Sequence, residues 1–356
     1  MLASLFPHEW FLDLSSLLLI LIAVIAMAVV IKGADWLVEG SAGIAKVMGM
    51  PEVVIGATIV SLGTTSPAAA VSVLAAWTGE AGLALGNGVG SIIADTGLIF
   101  GIGCLMTALP ADRFVLSRQG WVQFGSAVLL AAFCYGLFIV EGDAAQIHRW
   151  IGMVFVGLLV AYMAMSMKWA KAHPAGEPHL ISEDGKVRHD HEKDKTHSML
   201  YLVGLGLIGL LLVVLAGDGL VNSVTVLARR WGLPDVVIAS TLVAFGTSLP
   251  ELVVGITAIR KGHPELLVGN IIGADILNVL FVIGFAALAK PLPIIEPMAR
   301  FPAIFLIVQV PTMLIMLVLM RLFIFQAVKK GSFSRWMGIP LLLLYFIFIV
   351  AGLMLS

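Results

Sequence analysis

The feature that most constrains this chain is a series of ten apolar stretches, each about 20 residues long and so able to cross a membrane as a helix. They centre near residues 24, 64, 95, 130, 158, 212, 247, 277, 311 and 346. The composition agrees, because 60% of the residues are hydrophobic and only 12% are charged, against roughly 25% charged residues in soluble domains. The sequence therefore predicts an all-α, polytopic membrane protein with ten transmembrane helices.

Several function classes are excluded at this level. The formal net charge is −1, and no basic face of the kind that binds nucleic acid is present in the sequence. Cys104 and Cys134 both fall in apolar stretches, so we expect them to pack rather than to form a disulfide or a thiolate metal site. No HExxH helix or paired-aspartate motif indicates a membrane hydrolase. We therefore expect no enzyme activity and no resident cofactor.

An internal duplication divides the chain into two halves. VSLGTTSPAAAV at residues 60–71 is repeated as VAFGTSLPELVV at residues 243–254, at an offset of 183 residues that holds without a gap over a long window. The same offset pairs Asp35 with Asp218, Gly79 with Gly262 and Gly90 with Gly273. Five spans per half is an odd number, so the second half enters the membrane from the opposite side. This pattern predicts two inverted repeats with a substrate site near the middle of the bilayer.

The boundaries and the orientation follow from the polar segments. We assign residues 1–168 to the first five-helix repeat, 169–198 to a polar, His-rich cytoplasmic linker and 199–356 to the second repeat. A solvated loop is the favoured interpretation of the linker, with a pH or metal sensor as the alternative. Sixteen of the 21 lysines and arginines are assigned to the loops that follow spans one, three, five, seven and nine. The positive-inside rule then places both termini outside the cytoplasm, in an inner or plasma membrane.

The repeated motif itself indicates a cation site. Pro67 and Pro250 lack an N–H, so each is expected to break its helix and free a main-chain oxygen. Hydroxyl groups flank both prolines, and two acids, Glu251 and Asp95, lie at membrane depth. Ionisable groups at that depth are costly and mark a transport pathway by default. These are hard oxygen ligands, which suit Na⁺, Ca²⁺ or Mg²⁺. Close helix packing at small residues is the alternative interpretation of one such motif alone.

The paired GTSxPE-like and GNxxGSxxxD/N-like motifs resemble the alpha repeats of the Ca²⁺/cation antiporter superfamily, in particular its Na⁺/Ca²⁺ exchanger branch. The resemblance covers roughly residues 32–106 and 215–289. It implies a ten-helix inverted-repeat exchanger whose cation ligands come from helices two, three, seven and eight. Carried over by position, the implied ligands are Thr64, Thr65, Ser91, Asp95, the carbonyl of Ala244, Thr247, Ser248, Glu251 and Asn278.

Two positions depart from the family pattern. Ala68 stands where the family commonly has Glu or Asp after the first proline, and Ala274 stands at the serine of the second GNxxGS motif. Both missing oxygens belong to one Na⁺ site of the family pattern, whereas its mirror image is complete. Asp275 is a candidate replacement, because it lies three residues before Asn278. The alternative is that Asp275 points at a neighbouring helix.

The sequence thus predicts a secondary cation antiporter, exchanging Ca²⁺ for Na⁺ by alternating access. The alternatives are coupling to H⁺, exchange of another divalent cation, or an exchanger-like membrane protein that has lost transport through Ala68. A passive channel would instead need rings of like ligands around a pore. We expect a monomer whose partners are inorganic cations and the lipid bilayer. For the paired Asp35 and Asp218, helix capping or packing between repeats is favoured over ion binding.

Overall fold

A computed structural model describes residues 9–79, 81–172, 198–231, 248–295 and 304–355. In this part of the chain the protein is almost entirely helical, because a backbone in lipid must satisfy its N–H and C=O groups within its own segment. Nine described helices are long and apolar enough to cross a membrane. The all-α prediction is confirmed.

The first repeat contains five of these helices, which follow one another with short connections. They are α1 (Ser16–Met48), α2 (Glu52–Thr78), α3 (Ala81–Met106), α4 (Arg113–Glu141) and α5 (Arg149–Ala172). α1 is longer than the sequence indicated, so Lys32 and Lys46, which were expected in a loop, lie inside the helix. α5 continues to Ala172, past the predicted start of the linker. Residues 173–197, with the linker histidines, lie outside the described residues.

The second repeat has the same order of elements. It consists of α6 (Met199–Arg230), α7 (Leu249–Arg260), α8 (Pro264–Ala289), α9 (Phe305–Lys330) and α10 (Gly338–Leu355). α7 is described only from its N-cap, Ser248, so most of the span expected near residue 247 lies outside the described residues. Two short β-strands, Gln146–Ile147 and Leu292–Pro293, pair antiparallel and join the connections that follow α4 and α8.

The duplication is visible in the backbone. Gly79 ends α2 at φ 95°, and Gly262, 183 positions later, follows α7 at φ 83°. Both lie in the left-handed region, which glycine adopts without a Cβ penalty. A one-turn π-helix begins at Asp95 in α3 and another at Asn278 in α8, again at the repeat offset. Such π-turns interrupt the regular hydrogen-bond register of a helix and frequently occur at functional sites.

The expected break at Pro67 is not observed. The helix runs through Pro67 from Ser61 to Thr78, and the irregular part is a π-helical turn about two to three turns earlier, Gly56–Val60. Two hydroxyl groups donate to carbonyls near the proline: Ser66 Oγ to that of Leu62 at 2.5 Å, and Thr64 Oγ1 to that of Ser61 at 3.4 Å. Both acceptors lie just before Gly63, whose carbonyl would receive the N–H that Pro67 lacks. In the second repeat, Pro250 lies in the first turn of α7, where its missing N–H costs nothing.

The centre of the bundle is formed by the helices that carry the repeated glycine motifs. The most apolar windows of α3 and α8 are 72% and 83% buried, against 17% for α6. α8 packs on α2 almost backbone to backbone, since a Cβ on Gly273 would lie 2.6 Å from the Cα and carbonyl oxygen of Ala57. α1 and α6 approach equally closely at Gly40 and Gly206. Small residues at these crossings permit the close approach that holds membrane helices together.

Candidate cation-binding site

The candidate ligands converge from four helices on one buried region. Thr65 Oγ1 of α2 donates to Glu251 Oε1 of α7 at 3.4 Å. Asn278 Nδ2 of α8 donates to Asp95 Oδ2 of α3 at 3.4 Å, although the two residues are 183 positions apart. The carboxyl group of Glu251 also lies close enough to Asp95 to repel a charge on it. The structure therefore brings both repeats together at the residues that the motifs singled out.

All the described candidate ligands are removed from solvent. The exposed fraction is 5% for Ser91 and between 0% and 3% for Thr64, Thr65, Asp95, Ser248, Glu251 and Asn278. Ala244 and Thr247 lie outside the described residues. The described part of the site is therefore removed from solvent, and an ion that binds there would have to exchange its water for protein oxygens.

Five of these side chains carry an oxygen that has no hydrogen-bond partner among the described residues. The oxygens are Ser91 Oγ, Asp95 Oδ1, Ser248 Oγ, Glu251 Oε2 and Asn278 Oδ1, which we call the oxygen cluster. A buried acceptor without a partner costs roughly 1–3 kcal/mol, and more when it is charged. A dehydrated cation is the kind of partner that such oxygens take, because Na⁺ and Ca²⁺ are bound through oxygen. No group of three His, Cys, Asp or Glu side chains capable of holding a metal is found in the described ranges, so neutral oxygens must supply much of the coordination.

The two departures from the family pattern lie in apolar, tightly packed surroundings. Ala68 is 2% exposed and packs with Ala69 against Val282. Ala274 is fully buried and follows Gly273, where α8 is in close contact with α2. Neither side chain supplies an oxygen at the position of the missing acid or hydroxyl.

Asp275 does not fill this gap. Its Oδ2 accepts hydrogen bonds from Thr96 Oγ1 and from Gln123 Nε2, both at 2.6 Å. These partners belong to α3 and α4, and no described hydrogen bond joins Asp275 to Thr64 or Thr65. Of the two interpretations of Asp275, the structure favours the one in which it points at neighbouring helices.

Sequence reasoning missed Thr96, Gln123 and the role of Asn270. The Oδ1 atom of Asn270 lies 3.3 Å from Thr64 Oγ1, which joins α8 to α2 beside the cluster. Gln119 and Gln123 are both fully or almost fully buried in α4. Two glutamines one helical turn apart in such a span were a signal for a polar contact inside the bundle.

Asp35 and Asp218, paired at the repeat offset, lie inside long helices rather than at their ends, so neither is a helix cap. The backbone carbonyl of Asp35 accepts a hydrogen bond from Lys261 Nζ at 3.0 Å, and its carboxylate lies 3.8 Å from the same ammonium. The carboxylate of Asp218 accepts from Asn222 Nδ2 at 3.1 Å. For Asp35, the packing part of the expectation is therefore confirmed, through a contact between the two repeats.

Comparisons with known proteins agree with the geometry. The model of the family described as "Sodium/calcium exchanger protein" matches residues 18–168 and 201–354. The "Sodium/calcium exchanger MaX1" of Methanosarcina acetivorans is 29% identical over 93% of this chain and 97% of its own length. The "Inner membrane protein YrbG" of Escherichia coli is 31% identical over 75% of this chain and 79% of its own.

Solved structures are similar over nearly the whole molecule. One is the sodium-calcium exchanger NCX_Mj soaked with Na⁺ and Sr²⁺, which matches with a TM-score of 0.75 and 26% identity over 95% of this chain and 99% of the other. The same exchanger soaked with Na⁺ and no Ca²⁺ matches with a TM-score of 0.75 and 27% identity. Both repeats, the ten-helix architecture and the buried oxygen cluster thus lead to one conclusion: the chain belongs to the sodium/calcium exchanger family, as a multi-pass membrane protein.

Proposed function

We propose that this protein exchanges Na⁺ for Ca²⁺ across an inner or plasma membrane by alternating access at the oxygen cluster. The observation that carries the proposal is the set of five buried oxygens that have no hydrogen-bond partner among the described residues, two of which belong to carboxyl groups. A structural core has no reason to collect unsatisfied oxygens, because each one destabilises it. A transported cation that enters without its water supplies the missing partner.

The charge of the cluster fits the proposed cargo. Asp95 and Glu251 together carry two negative charges, which one Ca²⁺ or two Na⁺ neutralise. Neutrality matters here because an uncompensated charge in the membrane interior is costly. The loaded protein can therefore reorient, whereas the empty protein holds two repelling carboxylates. Ca²⁺ normally takes six to eight oxygens, so the five of the cluster would be completed by neighbouring hydroxyl or main-chain oxygens.

The remaining features belong to the same proposal. Both termini lie outside the cytoplasm, the protein acts as a monomer, and it neither carries a resident cofactor nor catalyses a chemical reaction. Ala68 and Ala274 remove the oxygens of one Na⁺ position, so fewer Na⁺ bind per cycle than in exchangers that retain both. The orientation is supported by the distribution of lysine and arginine.

Flux into proteoliposomes tests this proposal. Vesicles loaded with Na⁺ and diluted into Na⁺-free medium should take up ⁴⁵Ca²⁺, and equal Na⁺ on both sides should abolish the uptake. A pH gradient imposed without Na⁺ provides the matched arm. Uptake driven by the pH gradient alone would assign the protein to H⁺ coupling, and no uptake in either arm would indicate a relative that has lost transport.

That second candidate rests on one observation. Ala68 is packed against Val282, and it supplies no carboxylate at the position where the family commonly has an acid. A protein that binds Ca²⁺ at equilibrium but moves none under either gradient would support this reading.

A further inference from the structure

A third buried carboxyl group lies beside the oxygen cluster and is not part of it. Asp275 in α8 is 1% exposed. Its Oδ2 is held by Thr96 and Gln123, whereas its Oδ1 has no hydrogen-bond partner among the described residues. The ion pairs formed within the described ranges involve other carboxylates. Within the described ranges, the negative charge of an ionised Asp275 is thus met by neutral donors.

This third acid changes the charge balance of the centre. Asp275 lies close enough to Asp95 for the two charges to repel each other, as does Glu251. One Ca²⁺ compensates two carboxylates, so ionisation of all three would leave one net negative charge in the membrane interior. An uncompensated buried charge costs several kcal/mol. When one Ca²⁺ occupies the cluster and all three acids are ionised, one further positive charge is needed to make the centre neutral.

The surroundings of Asp275 fit a proton better than a metal ion. Two hydrogen bonds occupy Oδ2, which leaves Oδ1 as the free atom. A bare metal cation needs several oxygens around it, whereas a proton needs one. The charged groups on the helices packed against α8 are Asp95 and Glu251 nearby and, toward helix ends, Glu52, Arg113, Arg118, Glu141, Arg149, Lys168, Lys171 and Arg260. The other titratable side chains on these helices are Cys104, Cys134, Tyr135 and Tyr162.

A row of buried polar side chains leads away from Asp275. Gln123 contacts Asp275, and Gln119 lies one helical turn nearer the start of α4. Gln119 Nε2 donates to Ser166 Oγ of α5 at 3.4 Å, and all three side chains are at most 2% exposed. The start of α4 and the end of α5, at Arg113 and Ala172, are the ends that the charge distribution assigns to the cytoplasm.

We propose that Asp275 is a proton-binding site, separate from the oxygen cluster, and that its proton exchanges with the cytoplasmic side, toward which the polar row of Gln123, Gln119 and Ser166 leads. It rests on the proposed function only in that a cation enters the oxygen cluster. An ionised Asp275 attracts that cation, so cation binding expels the proton, and protonation weakens cation binding to the same degree. The site makes cytoplasmic acidity an inhibitor of cation binding.

Proton counting tests this inference. Purified protein in weakly buffered detergent solution is titrated with Ca²⁺ while a pH-indicator dye measures the protons released per Ca²⁺ bound. The variant Asp275→Asn keeps an oxygen acceptor for Thr96 and Gln123 but cannot ionise. We expect it to release about one proton fewer per Ca²⁺ than wild type. Glu265→Gln, which removes an acid from the start of the same helix, is the matched control and should release the wild-type number.

Equal proton release by wild type and Asp275→Asn overturns the proposal. Loss of one bound ²²Na⁺ per chain in Asp275→Asn, with an unchanged proton count, also overturns it, because the occupant is then Na⁺. Should Asp275→Asn not fold, Thr96→Val and Gln123→Leu provide the second test. Each removes a donor that stabilises the ionised form, so proton release should move to higher pH, and an unmoved pH profile refutes the site.

This experiment is separable from the test of exchange. The proton count is measured at binding equilibrium, so it is informative even in a protein that shows no Na⁺-driven flux. Conversely, Na⁺-driven Ca²⁺ flux with equal proton counts rejects the Asp275 site and leaves the exchange function intact.

Discussion

Replacing Glu251 by glutamine removes one of the two charges of the oxygen cluster and almost nothing else. The side chain keeps its length, and its carbonyl oxygen can still accept the hydrogen bond that Thr65 Oγ1 donates to Glu251 Oε1 at 3.4 Å. The site is 3% exposed, so water does not replace the lost charge. The variant therefore isolates the electrostatic contribution.

The magnitude follows from Coulomb's law. Two unit charges about 4 Å apart attract by about 4 kcal/mol at an effective dielectric constant near 20, so a divalent ion loses about 8 kcal/mol and a monovalent ion about 4 kcal/mol. The desolvation cost of the buried carboxylate, several kcal/mol, is recovered at the same time. We expect a net loss of about 3 kcal/mol for Ca²⁺, which weakens its binding by about two orders of magnitude. Na⁺ binding should weaken less.

The assay is equilibrium binding of ⁴⁵Ca²⁺ and ²²Na⁺ to purified protein, with Glu39→Gln as the control. Glu39 is an exposed acid that is not part of the oxygen cluster, and its carboxylate lies 3.6 Å from Lys261. Surface ion pairs of this kind contribute at most about 1 kcal/mol. Glu39→Gln should bind both ions as wild type does. A folded Glu251→Gln protein with wild-type Ca²⁺ affinity would refute the reasoning, because the charge would then not face the ion.

Three further predictions concern other parts of the site. Asp95→Asn should weaken Ca²⁺ binding by about as much as Glu251→Gln and much more than Asn278→Ala does, because it removes a charge rather than a neutral ligand; equal effects in a ⁴⁵Ca²⁺ titration would contradict the charge count. Gly273→Ala inserts a methyl group where the backbones of α8 and α2 cross, and it should cost about 1–3 kcal/mol of stability, measured as a lower Tm. The control Gly125→Ala should not lower the Tm, because no described atom lies within 4 Å of the added Cβ. Ala68→Glu places an acid in an apolar pocket and should lower the Tm without raising the number of Na⁺ bound per chain; an additional bound Na⁺ would show that the missing position can be restored by one residue.

Much of this architecture was predictable because membrane helices and duplications leave strong patterns. Span length, the offset of 183 and the inverted order follow from hydropathy and counting alone. The pairing of Asp95 with Asn278 could also be anticipated, since the repeat offset itself joins them. The break expected at Pro67 was wrong, because the helix continues through the proline and its irregular turn lies earlier, at Gly56–Val60. No local sequence signal specifies that choice.

The direction in which the Asp275 side chain points depends on tertiary packing. Its position three residues before Asn278 allowed two directions, and only the placement of α4 beside α8 brings Gln123 to its carboxyl group. The two glutamines mark a polar face of α4, but the sequence does not specify which helix that face meets. Contacts between helices of different repeats join residues far apart in the chain, so they depend on tertiary packing and not on local sequence.

The central claim is that Na⁺ and Ca²⁺ compete for one oxygen cluster, and competition binding tests it most directly. Purified protein is titrated with ⁴⁵Ca²⁺ at a series of fixed Na⁺ concentrations, and the bound Ca²⁺ per chain is counted at saturation. We predict one Ca²⁺ per chain at every Na⁺ concentration, with an apparent Kd that rises without limit as Na⁺ increases. An apparent Kd that levels off at high Na⁺, with both ions bound at once, would contradict the shared site and with it the proposed mechanism of exchange.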